Sequence, residues 1–83
     1  MAYPELLQDK IQYIIELYSS GKVNDALKRV ESLIEQYPND ALLHNVNGAC
    51  YASLDEIDKA ISCYKIALTI NPNYAEANNN LGI

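Results

Sequence analysis

Ala26-Leu27-Lys28-Arg29-Val30-Glu31-Ser32-Leu33-Ile34-Glu35-Gln36-Tyr37-Pro38-Asn39 is answered 34 residues later by Ala60-Ile61-Ser62-Cys63-Tyr64-Lys65-Ile66-Ala67-Leu68-Thr69-Ile70-Asn71-Pro72-Asn73. Ala26 returns as Ala60, Leu27 as Ile61, Ile34 as Leu68 and Pro38-Asn39 as Pro72-Asn73, and upstream Leu17 returns as Tyr51. A third copy starts at Ala75. Internal repetition at a fixed period means that each unit is too small to bury its own apolar face and must stack on the next.

Inside each copy the apolar spacing is helical. Val23, Ala26, Leu27, Val30, Leu33 and Ile34 fall at offsets 0, 3, 4, 7, 10 and 11, and Ile57, Ala60, Ile61, Tyr64, Ala67 and Leu68 repeat those offsets. This is one apolar stripe on a 3.6-residue helix, written twice in the same phase, and no stretch alternates as a strand does. Pro4 suits a first helical turn, and Pro38 and Pro72 cannot continue the helices before them. Asn24 and Asp58 occupy equivalent positions and are expected to cap the second and fourth helices. Gly21 permits the left-handed residue that ends the first. Helices are predicted near residues 4–20, 23–36, 40–53, 57–70 and 74–83, with connections short enough to force antiparallel neighbours. The last helix stops in mid-pattern, so a fragment of a longer array is expected.

Eighty-three residues make room for one domain with a modest core. Eleven acidic and six basic residues leave a net charge of −5, which repels phosphate backbones and anionic bilayers. Neither a nucleic acid nor a membrane is expected as partner, and no segment has the run of about 18 apolar residues that a membrane span needs. Met1-Ala2-Tyr3-Pro4-Glu5 lacks the basic start and apolar core of a secretion signal, so a cytoplasmic location is expected. Cys50 and Cys63 are too few and too isolated for a metal site or a disulfide framework, and both read as small core or surface thiols. A single His, no glycine-rich phosphate loop and scattered carboxylates give no catalytic constellation. Glu5, Asp9, Glu31 and Glu35 read as solvated helix faces. An enzyme is not expected, nor is a cofactor or metal.

A helix-turn-helix unit of 34 residues with a small residue, an aromatic and a closing Pro resembles the tetratricopeptide repeat, TPR. The middle unit carries the resemblance best, with Gly48 and Ala60 as small residues, Tyr51 and Tyr64 as aromatics, then Ala67-Leu68 and Pro72. Ala75-Glu76-Ala77 and Leu81-Gly82 restart the pattern. The resemblance implies an all-α fold, antiparallel helix pairs stacked as a right-handed α-solenoid of about five helices. Residues 1–83 form a single segment with repeats at about 7–40 and 41–74 and a partial one at 75–83. Ile14 departs from the pattern where a small residue is usual, which suits a terminal unit. His44, Asn47 and Asp55 depart from it in the middle unit. His44 and Asn47 are either paired polar groups at the core edge or a polar notch for a ligand. Asp55 is either a tolerated turn residue or a hinge through which helices fuse and exchange between chains.

The resemblance further implies that the first helix of each pair lines a concave, partner-binding side. On this sequence that lining is Gln8, Ile11, Gln12, Ile15 and Ser19, then Leu42, Asn45, Val46, Ala49 and Ser53, then Asn79 and Asn80. Its amides can pair with the backbone of an extended segment whatever its side chains. Asn80 matches the asparagine of a peptide-holding ladder in repeats similar to those of O-linked N-acetylglucosamine transferases, but Gln12 and Val46 interrupt the ladder. The clamp by which other members grip acidic chaperone tails would fall on Ile11, Ile15, Val46, Glu76 and Asn80, which cannot hold carboxylates. The expected function is a protein-interaction scaffold for a peptide or partner protein. Two alternatives stand beside it. One is a self-associating fragment, joined through Leu81 and Ile83 of the truncated last helix or through Asp55. The other is an accessory region of a modifying enzyme such as a glycosyltransferase.

Overall fold

A computed structural model describes residues 6–81, with side chains through Asn80. Five helices follow one another, α1 (Leu7–Ser19), α2 (Val23–Gln36), α3 (Ala41–Ser53), α4 (Ile57–Ile70) and α5 (Ala75–Leu81), with no strand among the described residues. Each helix packs on the one before it, and α3 also touches α1 and α5 across the intervening partners. The odd-numbered helices therefore form one row. The even-numbered ones sit behind it, the arrangement of a helical-repeat solenoid.

The junctions explain why the predicted boundaries are close but the predicted caps are not. At the end of α1, Gly21 takes φ 83°. Its N–H donates to Tyr18 O at 3.1 Å and the N–H of Lys22 donates to Leu17 O at 2.8 Å, the paired bonds of a Schellman ending. Lys22 is then already the N-cap of α2, its carbonyl accepting from Ala26 N at 3.0 Å. The same joint recurs at Asp55 (φ 63°), where Asp55 N–H donates to Ala52 O at 3.1 Å and Glu56 N–H to Tyr51 O at 2.9 Å. Because one residue both closes one helix and opens the next, Asn24 and Asp58 lie inside the first turns of α2 and α4 and cap nothing; the N-caps are Lys22 and Glu56, neither with a side-chain bond. The side chain that does cap is Asp40, which accepts from Leu43 N at 3.2 Å, so α3 starts at Ala41 and not at Asp40. Leu6, extended at ψ 149°, precedes α1, which starts at Leu7; Pro4 lies outside the described residues. The turn reading of Asp55 is the one realised in this structure.

The two repeats solve the same packing problem with opposite volumes. In the second, a Cβ on Gly48 would stand 2.6 Å from Cε1 of Tyr64, so the ring of α4 lies directly against the backbone of α3. In the first, the equivalent residues are Ile14 and Val30, a large side chain on the first helix and a small one on the second, both buried. Ile14 is accommodated because no ring opposes it. Leu43, Val46 and Cys50 of α3 bury against the first pair, whereas their equivalents on α1, Asp9, Gln12 and Glu16, are exposed. Glu31, expected to be merely solvated, accepts from Tyr51 Oη at 3.1 Å and ties α3 to α2.

Candidate partner-binding groove

The residues expected to line a groove lie on α1, α3 and α5, where some are exposed and others are committed to contacts within the stack. Gln8, Gln12 and Ser19 of α1 are exposed, as are Asn79 and Asn80 of α5, and Ile15 is 37% exposed. Leu42 and Ala49 are half-buried. Ser53 is exposed and its hydroxyl donates to Tyr18 Oη at 3.0 Å. Ile11, Asn45 and Val46 are buried. A hollow of about 630 Å³ opens along Gln8, Ile11, Gln12 and Ile15, closed by Leu42 of α3 and by Leu6 and Leu7 at the start of α1.

The buried members belong to a contact that repeats between successive front helices. Ile11 of α1 occupies the place that Asn45 holds on α3, and the two are 7% and 6% exposed. Leu42 and Val46, which α3 contributes beside Ile11, correspond to Glu76 and Asn80 of α5 beside Asn45. The first set is apolar. In the second, Asn80 Nδ2 donates to Asn45 Oδ1 at 2.9 Å, and Asn45 Nδ2 reaches Glu76 Oε2 at a longer 3.4 Å. A buried amide left unpaired costs about 1–3 kcal/mol, so the polar set works only as a group. Burial first, then the charges of Glu76 and Asp40, push the neighbouring Tyr74 hydroxyl up. Asn45 therefore spends its bonding capacity holding α5 on α3. Among the described residues the lining amides without a hydrogen-bond partner are Gln8, Gln12 and Asn79, and Asn80 is exposed beyond its bond to Asn45.

The departures from the repeat pattern are mostly internal. His44 Nε2 pairs with the Pro38 carbonyl at 2.8 Å, across the turn that separates the repeats. Asn47 donates to Cys63 Sγ at 3.5 Å, and its buried Oδ1 has no protein partner. Cys50 and Cys63 are free, buried thiols. Burial, then Cys63 and Glu31, raises the Cys50 pKa from 9.0 to about 11, which suppresses the reactive thiolate. Among the described residues no group of three or more His, Cys, Asp or Glu side chains could hold a metal ion. Nor is any helix of the described residues long and apolar enough to cross a membrane. The self-association route through Leu81 and Ile83 rests on side chains outside the described residues.

Stacked antiparallel pairs joined by identical tight turns define a helical-repeat protein. More narrowly, residues 48–83 match the family model of the TPR repeat. The match covers less than half of the chain, and the five-helix run is consistent with TPR repeats. The matched segment starts at Gly48, the residue that receives the Tyr64 ring. Repeats of this family serve in general as non-catalytic protein-interaction scaffolds. No curated protein matches the chain.

Proposed function

We propose that the front row of helices binds an extended segment of a partner protein, with the hollow beside α1 as its main anchoring point. The observation that supports this is the pairing, in one hollow, of an exposed Ile15 with two exposed amides, Gln8 and Gln12, that bond to no other group among the described residues. A segment laid along the row buries its apolar side chain against Ile15 and Leu42, while its backbone exchanges hydrogen bonds with the Gln carboxamides. Burial returns about 25 cal/mol per Å² of apolar area removed from water, and the amides fix direction and register. Asn45 stabilises the platform and does not touch the segment.

The test begins with peptides selected from a displayed random library against the whole chain, followed by amide-shift mapping of one selected peptide. Shifts should cluster at Gln8, Gln12, Ile15 and Leu42. Ile15→Asp should weaken the peptide by about tenfold or more, the cost of about one buried aliphatic side chain. Its helical circular dichroism should remain intact, because Ile15 lies outside the core. Selected peptides that map to the α2–α4 side, or that bind Ile15→Asp as well as the native chain, would remove the groove from consideration.

A further inference from the structure

A second hollow lies behind the groove, shares none of its residues and is lined by α1 and α2 alone. Lys10, Tyr13, Arg29, Ser32 and Gln36 form its walls, enclosing about 210 Å³. The buried side chains of Ile14 and Leu33 make its floor. In a chain of net charge −5, two of six basic residues meet here and no carboxylate lines the space. Among the described residues neither Lys10 nor Arg29 has an ion-pair partner. Asp25, one turn before Arg29, lines an adjoining hollow on the other side of the Tyr13–Arg29 wall and does not pair with it.

Arg29 is also held in place. Its guanidinium carbon lies 4.8 Å from the centroid of the Tyr13 ring. A guanidinium stacked on an aromatic face keeps its N–H edge free for an oxyanion and has less rotamer freedom to lose when one arrives. Ser32 and Gln36 add neutral donors one helical turn apart, and the apolar floor excludes water from one side. The volume falls below the roughly 300–1,000 Å³ of sites that enclose a cofactor or drug-sized ligand, and suits a single side chain.

The geometry points to a docking point for an acidic side chain, Asp or Glu, on a protein partner: its carboxylate between Lys10 and Arg29, its methylenes on Ile14 and Leu33. Stripping a carboxylate of water is costly, and two cations with neutral donors offset that cost where one exposed lysine does not. The site is independent of the groove. A partner engaging both surfaces contacts α1 from two sides.

The experiment is an amide-shift titration of the whole chain with the capped tetrapeptide Leu-Asp-Glu-Leu, beside its Leu-Asn-Gln-Leu counterpart and inorganic phosphate at matched ionic strength. The acidic peptide should move the resonances of Tyr13, Arg29 and Ser32 saturably, and the amide peptide should not. Lys10→Gln with Arg29→Gln should weaken the acidic peptide by about tenfold, the scale of losing charge-assisted hydrogen bonds. Lys10→Gln alone, which leaves the Arg29–Tyr13 stack intact, should show part of that loss. The proposal is overturned if both peptides shift the same residues alike or if the double variant binds undiminished. It is equally overturned if phosphate matches the acidic peptide, the behaviour of a free-anion site, or if all shifts fall on Gln8 and Gln12, which would return the peptide to the groove.

Discussion

Gly48→Ala is the sharpest perturbation of the packing that holds the second repeat together. The added methyl would stand 2.6, 2.8 and 3.0 Å from Cε1, Cδ1 and Cζ of Tyr64. Carbon atoms in ordinary contact sit about 3.5–4.0 Å apart, so the ring must retreat by about 1 Å. It has little room, since Tyr64 is 5% exposed. Overpacking of this kind costs about 1–3 kcal/mol, and the better helix propensity of Ala offsets about 1 kcal/mol of it. The net expectation is a loss of about 1 kcal/mol, a fall in Tm of about 4–8 °C for a domain this small.

The sign carries more information than the size. In a Tyr64→Val background the ring is gone, only the propensity gain remains, and Gly48→Ala should stabilise by about 1 kcal/mol. The double-mutant cycle then gives a coupling of about 2 kcal/mol between the two positions. Urea unfolding of the four proteins, followed by helical circular dichroism, measures it. If Gly48→Ala costs the same with and without the ring, the ring-on-backbone contact is not what requires the glycine. The exchange of volumes between Ile14–Val30 and Gly48–Tyr64 would then lose its explanation.

Two further outcomes follow from the turn and the thiols. Asp55→Gly should raise stability by about 0.5–1 kcal/mol and Asp55→Ala should lower it, because Asp55 sits at φ 63° where glycine is unstrained and an Asp side chain is tolerated better than Ala; equal melting temperatures for the three proteins would contradict this. Cys50, with its folded pKa raised from 9.0 to about 11, contributes stability that is fully present below pH 9.0 and is lost as pH rises through about 11. The stability difference between the native chain and Cys50→Ala should narrow across that window, and a thiol reagent should label Cys50 only when the chain is unfolded. Labelling of the native fold at neutral pH would contradict its burial.

The period of 34 residues and the apolar stripes were enough to place all five helices within a few residues, because stripe, proline and turn all report the same geometry. Gly21 was legible for the same reason. The caps were not. Asn24 and Asp58 have the right chemistry for capping, but the Schellman endings at Gly21 and Asp55 leave Lys22 and Glu56 as the junction residues. Residue type signals a cap only when the preceding turn leaves the position free. Lys10, Tyr13 and Arg29 carry no signal along the chain because they come from two helices, and single-helix periodicity is silent about what faces what across a pair.

The groove shows most clearly where sequence pattern and structure part. Asn45, Glu76 and Asn80 look like a polar lining when read along the chain, and Ile11, Leu42 and Val46 look like an apolar interruption of it. In space the two sets are the same contact between successive front helices, filled once with hydrocarbon and once with hydrogen bonds. A polar set of this kind contributes little net stability but penalises mismatched neighbours, since any misplaced member strands a buried amide. The apolar set tolerates shifts that the polar set does not. The α1–α3 junction therefore gains its strength from burial, and the α3–α5 junction gains a fixed register. That division leaves Gln8, Gln12 and Ile15 outside the contacts of the stack, which is the basis for proposing the anchoring point beside α1.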